Sequence, residues 1–418
     1  MNKTVRNILI AFFALLLLAG AFSGGLIVGW LIPSTSSQQT SLADDVSTSQ
    51  GDYASLFKPF WEAWDIVHEE FIDQPVDDTK LMQGAIRGMV EALGDAHTLY
   101  MTQDEYDEAT VPLSGTYAGI GAFVRTDGEY LMITEPFEGS PAKEAGLKPG
   151  DQVIAVNGED VTGIDPAVVL ESVKGEAGTS VLLTIHRTDP ESTFDVSITR
   201  AIINYPTVTG HILTQDELPK GTSMVLNENI AYISLTSFGE NTASDLEDIL
   251  DELLAQNPKG IILDLRYNSG GYLETAVDVV SEFMDEGVVL YEQNSAGELT
   301  PYNTVSGGKA LDIPLVILVD GGSASASEIT AGAIQDYGRG VLVGTQTYGK
   351  GSVQYWIPLE DAQGAVSVTI ARWLTPKERQ IDGVGLTPDY VVEFTDEDLA
   401  NNNDVQLLKA VEILLENN

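Results

Sequence analysis

From residue 230 onward the chain carries short, largely apolar runs at 231–235, 261–265, 315–319 and 341–345, separated by segments of helical composition. A run this short and this rich in apolar residues suits a strand covered on both sides, and helices between such strands make the right-handed crossovers of a parallel sheet. The expected organisation is α/β, with ligands beyond the strand ends. Because that fold supports many activities, function has to be read from the side chains at those ends.

The run at 315–319 feeds Gly322-Ser323-Ala324-Ser325-Ala326-Ser327-Glu328, and helical composition follows through Tyr337. Ser325 is therefore expected at a helix N-terminus. Free N–H groups and the positive end of the helix dipole gather there and could hold an oxyanion, with the Ala326 amide as donor. A serine hydroxyl also needs a base. Tyr348-Gly349-Lys350-Gly351 supplies a lysine, which can serve only if burial keeps it neutral. In the alternating stretch after it, Lys350, Ser352 and Gln354 would face one side, so that Gln354 could orient the amine. Gly270 and Gly271, just beyond the run at 261–265, permit close backbone approach.

Other chemistries fit less well. Gly344 to Lys350 imitates a phosphate-binding loop, but Gly351 stands where the hydroxyl should be and a strand pattern follows where a helix is needed. His68-Glu69-Glu70-Phe71-Ile72 lacks the second histidine of a zinc-protease helix. Ser325 is not in Gly-x-Ser-x-Gly, and the Ser-x-x-Lys matches at Ser55, Ser140 and Ser306 lack the companion motifs of β-lactamases. His97, close to Asp95, offers a competing Ser-His-Asp arrangement. Ser323 and Ser327 read as turn and capping residues, and sequence leaves each open as a nucleophile.

These segments occur with Leu93-Gly94-Asp95-Ala96-His97-Thr98-Leu99-Tyr100, Gly119-Ile120-Gly121, Gly139-Ser140-Pro141-Ala142, Gly146-Leu147-Lys148-Pro149-Gly150-Asp151 and Asp264-Leu265-Arg266-Tyr267-Asn268-Ser269-Gly270-Gly271. Taken together, over about 53–392, the chain resembles the C-terminal processing peptidases, or tail-specific proteases. The resemblance implies Ser325 as nucleophile, Lys350 as general base, Gln354 as the family's glutamine and Asp336 as an accessory acid. It adds an amide of Gly270 or Gly271 to that of Ala326 in the oxyanion hole, within a crotonase/Clp-like α/β core. Residues 114–201 resemble a permuted PDZ domain. There Gly119, Ile120, Gly121 and Ala122 would offer N–H groups to a peptide's terminal carboxylate, beside a strand edge that pairs with its backbone. Inside it, Ser140 with Pro141 and Gly146 marks one short helix, and Asp165-Pro166 opens another.

Of the 418 residues none is cysteine, which excludes thiol catalysis and disulfides, and a net charge of −42 excludes a nucleic-acid role by repulsion. Residues 8–32 are almost wholly apolar behind Lys3 and Arg6. As a helix they reach about 37 Å, against a hydrocarbon core of about 30 Å. An uncleaved anchor is favoured over a cleaved signal, with the catalytic part outside the cell membrane. The chain then divides into a cytoplasmic 1–7, a transmembrane 8–32, a flexible linker 33–51, a helical cap region 52–112, the PDZ domain 113–202, the peptidase core 203–396 and a C-terminal helix 397–418.

In the cap, Phe57, Phe60, Trp61, Trp64, Val67 and Phe71 follow helical spacing, and 81–93 repeats the pattern. Near the other end, Leu407, Leu408, Val411, Leu414 and Leu415 line one helix face. The resemblance implies a homodimer through these terminal helices; packing within the chain is the alternative. No metal or cofactor is required. The expected protein is a membrane-anchored serine endopeptidase that captures accessible C-termini of protein or peptide substrates and cleaves near them. A non-catalytic PDZ-bearing scaffold or quality-control adaptor is the second reading.

Overall fold

The computed structural model describes residues 53–416, apart from 138, 205–206 and 402. They belong to two compact units, one through Leu81 and one from Met82. The expected anchor at 8–32 lies outside the described residues. Among the described residues, no helix is long and apolar enough to cross a membrane.

In the first unit the aromatic periodicity forms α1 (Lys58–Glu70), yet none of its residues is buried. Phe57, Phe60, Trp61 and Trp64 meet one another edge to face or tilted, and Trp64 stacks on His68. The His68 ring reaches the Asp78 carboxylate at 2.7 Å, at the start of α2 (Asp78–Glu91).

The second unit opens with β1 (Leu99–Met101), α3 (Gln103–Ser114) and β2 (Thr116–Gly119). An antiparallel domain follows: β3 (Ala122–Arg125), β4 (Leu131–Pro136), α4 (Pro141–Glu144), β5 (Gln152–Val156), β6 (Glu159–Asp160), α5 (Pro166–Val173), β7 (Ser180–Thr188) and β8 (Glu191–Thr199). Its strands run in the order β3-β4-β5-β7-β8, with β6 on β5, so β3 is a free edge. Alternate residues Val181, Leu183 and Ile185 point into a core shared with Leu131, Ile133, Val169 and Val173. Ser140 caps α4 by accepting the Lys143 N–H, and Asp165 caps α5 by accepting that of Ala167, as their sequence positions indicate. The chain leaves through β9 (Ala201–Asn204), which pairs with β2.

Next come β10 (Val208–Ile212), β11 (Ile230–Leu235), α6 (Thr242–Leu254), β12 (Gly260–Asp264), α7 (Leu273–Ser281), β13 (Val288–Gln293), β14 (Leu299–Asn303) and β15 (Leu315–Val319). The remainder is α8 (Ala326–Tyr337), β16 (Val341–Gly344), β17 (Ser352–Pro358), β18 (Ala365–Leu374), β19 (Tyr390–Val391), α9 (Asp396–Asn401) and α10 (Val405–Glu416). The four apolar runs become parallel neighbours β11-β12-β15-β16, with β10 and β19 at the ends.

These strands are largely apolar because both faces are covered. Ile233, Leu263 and Ile317 meet α6, α7 and α8 on one side, while Ile262, Val316 and Val343 meet Leu407, Val411 and Leu414 of α10 on the other. The apolar face of the C-terminal helix, which the resemblance assigns to dimerisation, is thus spent within the chain. A second sheet has the order β1-β18-β13-β14, with β17 on β18.

Arg266 fastens α10 to the sheet. Its guanidinium holds Asp264 at 2.6 Å and Asp404 at 2.8 Å, and Tyr232 donates its hydroxyl to Asp264. Burial pushes the Arg266 pKa down, but the two carboxylates overcome this and raise it. Arg266 is structural, its guanidinium being committed to two carboxylates. Arg266→Met, which leaves two acids facing each other, is expected to lower unfolding free energy by about 3 kcal/mol in urea melts. A loss below about 1 kcal/mol would mean that the pairing is solvent-screened.

Candidate active site

The turn between β15 and α8 is tied along its length to the loop after β12. Asp320 Oδ1 accepts the N–H groups of Gly322, Ser323 and Tyr267. The Asn268 carbonyl accepts the Ala324 N–H at 3.0 Å and the Ser327 hydroxyl at 2.8 Å. The Ser323 hydroxyl donates to the Leu265 carbonyl at 2.8 Å. Ser323 and Ser327 are both fully buried. Two of the three serines in the run are therefore committed to the neighbouring main chain.

Ser325 differs from both. It is partly exposed, sits immediately before α8, and adopts φ 53°, ψ −114°, a backbone region that a residue with a side chain rarely occupies. Its N–H donates to Glu328 Oε2 at 3.0 Å. Glu328, on the first turn of α8, has no solvent exposure. The same carboxylate accepts the Lys350 N–H at 2.9 Å, the Gly349 N–H at 2.7 Å and the Thr347 hydroxyl at 2.5 Å. One buried acid thus joins the Ser325 turn to the Lys350 turn. No sequence expectation named it, although serine at the N-cap with glutamate three residues later is the capping-box pattern.

Lys350 lies in the tight segment before β17. Gly349 has φ 89°, and a Cβ there would come within 2.7 Å of the Gly385 nitrogen, so the turn requires glycine. The Trp373 indole donates to the Lys350 carbonyl at 2.9 Å. Burial pushes the Lys350 pKa below the ordinary lysine range, and the nearby Glu328 charge partly opposes it. This is the direction that frees an amine to accept a proton.

The glycine pair beyond β12 approaches closely. A Cβ on Gly270 would lie 2.9 Å from both the Ala326 nitrogen and Ser325 Cβ. The Gly270 N–H itself donates to Asn268 Oδ1 at 2.8 Å. Gly271 forms a parallel bridge with Phe238 that uses the Gly270 carbonyl and the Tyr272 amide, which keeps the Gly271 N–H out of that ladder. Ala326, as the first residue of α8, has no intrahelical acceptor for its N–H. Of the two glycines, Gly271 thus has the uncommitted amide.

Lys350 precedes β17, and the Gln354 amide nitrogen donates to Ser352 at 2.8 Å and Thr369 at 3.1 Å. Thr369 in turn donates to Asp95, whose carboxylate also takes the Thr98 hydroxyl and the His97 main-chain N–H. Hydrogen bonding from Thr369 holds the Asp95 pKa low. Asp95 therefore grips the His97 backbone, not its ring, and the triad alternative loses its orienting acid. Asp336 sits near the far end of α8, about 16 Å along the helix from Ser325. There it pairs with Arg379 at 2.6 Å and accepts the Lys377 N–H. Ile120 is buried in the antiparallel domain, and Gly119, Ile120, Gly121 and Ala122 form the junction of β2 and β3. The Ile120 carbonyl accepts the Ala142 N–H, and that of Gly121 accepts the Phe137 N–H and the Ser140 hydroxyl.

The chain is similar to known proteins over most of its length. Residues 229–392 match peptidase family S41, 132–187 the PDZ domain, and 17–105 the N-terminal domain of activating protease CtpB. The chain is 33% identical over 359 residues to the carboxy-terminal-processing protease of Bartonella bacilliformis, covering 84% of this chain and 79% of that protein. To carboxy-terminal processing protease CtpA of Bacillus subtilis it is 34% identical over 357 residues, covering 85% and 73%. A protein of Bacteroides fragilis assigned to the S41 proteases has a similar fold, with a TM-score of 0.54 at 16% identity over 84% of this chain and 96% of that one.

Replacing Glu328 by Gln removes its charge and one of its two acceptor oxygens. Glu328→Gln is expected to destabilise the protein by about 3 kcal/mol. Because the Glu328 charge raises the Lys350 pKa, its loss lets the ammonium give up its proton at lower pH. The acid limb of any reaction needing the free amine should then move to lower pH. A limb that stays in place or moves up would separate Glu328 from Lys350.

Proposed function

Because the chain belongs to the carboxy-terminal processing proteases of peptidase family S41, we propose that Ser325 is its nucleophile and Lys350 the general base. The observation that carries this reading is the division of labour in the serine run. Ser323 and Ser327 are locked to main-chain carbonyls, while Ser325 stands strained and partly open, tied through Glu328 to the lysine turn.

In the proposed reaction, Ser325 Oγ attacks the scissile carbonyl carbon as its proton passes to the neutral Lys350 amine. The carbonyl oxygen becomes an oxyanion that faces the N–H groups of Ala326 and Gly271. The C–N bond then breaks, and the Lys350 ammonium returns the proton to the departing amine. Water then gives a proton to Lys350 as it attacks the ester, and the ammonium returns that proton to Ser325 Oγ as the serine leaves. Gln354 keeps Ser352 and Thr369 in place at the edge of this site, and Asp336 braces the far end of α8.

Substrate capture is proposed to fall to the antiparallel domain. The free edge of β3 can pair with an extended peptide, and the Gly119–Ala122 junction lies at the start of that edge, where N–H groups can meet a terminal carboxylate. Residues 8–32 are proposed to hold the enzyme in the cell membrane, with the catalytic part outside.

Ser325→Ala and Lys350→Ala should each lower cleavage of a peptide with a free apolar C-terminus by about a thousandfold or more, while His97→Ala keeps cleavage within a few-fold of the parent. Mass spectrometry should find an acyl adduct on Ser325. Binding without cleavage by the parent protein would instead support the adaptor reading. In a separate binding measurement, converting the peptide's C-terminal carboxylate to an amide should weaken binding about tenfold or more. Equal affinity would argue against terminal-carboxylate capture.

A further inference from the structure

A cavity of about 740 Å³ opens beside the Lys350 turn, on the face where β17 and β18 pair. Gly349 and Ser352, on either side of Lys350 in the chain, are in its wall, together with Thr369 and Arg372 of β18. The pairing register sets Arg372 opposite Ser352 and Thr369 opposite Gln354. A peptide in contact with Ser325 and Lys350 would reach this cavity within two or three residues, since an extended chain advances about 3.4 Å per residue.

Arg372 is the exception among the arginines. The other described arginines hold carboxylates, or main-chain carbonyls in the case of Arg200 and Arg339. Arg372 is exposed, and among the described residues it has neither an ion pair nor a side-chain hydrogen bond. In a chain with 63 acidic and 21 basic residues, an unpaired arginine needs an explanation. The acids in the same wall are occupied. Asp95 takes three donors, and Asp382 takes the Gly351 N–H. The other group there that could carry positive charge is His97.

We propose that this cavity is a substrate subsite in which Arg372 binds a carboxylate of the peptide two or three residues from the bond that is cut. The carboxylate comes from an acidic side chain or from a chain terminus at that distance. A planar guanidinium can hold it through two parallel hydrogen bonds, a directional preference that survives the nearby aspartates. This inference rests on the serine peptidase reading, whose site it extends.

The test is a peptide series in which one glutamate is moved through the three positions on each side of the cleaved bond, each peptide compared with its glutamine counterpart. The expected result is one position where glutamate raises kcat/KM about tenfold in the parent protein, as a charge-assisted hydrogen bond would. That preference should vanish in Arg372→Gln and turn into a preference for lysine at the same position in Arg372→Glu. Peptides ending at that position as free acid or amide tell a terminal carboxylate from a side chain. The same comparisons read as binding affinities on the Ser325→Ala background, so the proposal remains testable without turnover.

No glutamate preference at any position, a preference unchanged in Arg372→Glu, or a lysine preference in the parent would overturn it. The last would assign the cavity to Asp95 and Asp382. Ser325-dependent cleavage that ignores glutamate would refute this subsite and leave the peptidase reading standing.

Discussion

The site depends on one buried carboxylate. Glu328 sits in the first turn of α8 without solvent exposure, and its two oxygens take donors from Ser325, Thr347, Gly349 and Lys350. A lone carboxylate in that position would cost several kcal/mol in lost hydration, and charge-assisted hydrogen bonds worth about 1.5–3 kcal/mol each can offset it. The balance holds only while all the donors stay in place. With the Tyr348 N–H donating to the Ser323 carbonyl alongside, the serine turn and the lysine turn are fixed at one distance.

That rigidity supports two unfavourable local states. Ser325 is held in a backbone conformation that costs on the order of 1–3 kcal/mol. Lys350 is held where water cannot fully solvate its charge, which lowers its pKa. Around them the loop after β12 supplies Asn268, whose carbonyl fixes Ala324 and Ser327 and whose side chain braces Gly270 and the Leu235 carbonyl. The parallel sheet, packed on both faces, gives these loops a firm base, in keeping with the tendency of such sites to be carried on loops above a stable scaffold.

Much of this is legible in the residues. Short, largely apolar runs mark the parallel strands because local composition alone reports burial on both sides. Ser140-Pro141 and Asp165-Pro166 mark helix starts because caps act within a few residues. What stays hidden in the sequence depends on contacts between distant segments. Whether Ser323, Ser325 or Ser327 is free is decided by the carbonyls of Leu265 and Asn268, which lie 58 and 59 positions from their donors. Strand periodicity would put Lys350 and Gln354 on one face, but the strand starts only at Ser352 and its register shifts between Val353 and Gln354. The aromatic periodicity of α1 predicts a helix correctly and says nothing of burial, and none of its residues is buried.

The titration of Lys350 bears most directly on whether the site has a base. It can be followed by NMR of lysine side-chain carbons in the folded protein, with Lys350→Arg used to assign the signal. This one lysine should lose its proton at a clearly lower pH than ordinary exposed lysine side chains. A Lys350 signal that titrates together with them would mean that the amine is charged at neutral pH, and the Ser325–Lys350 mechanism would then have no proton acceptor.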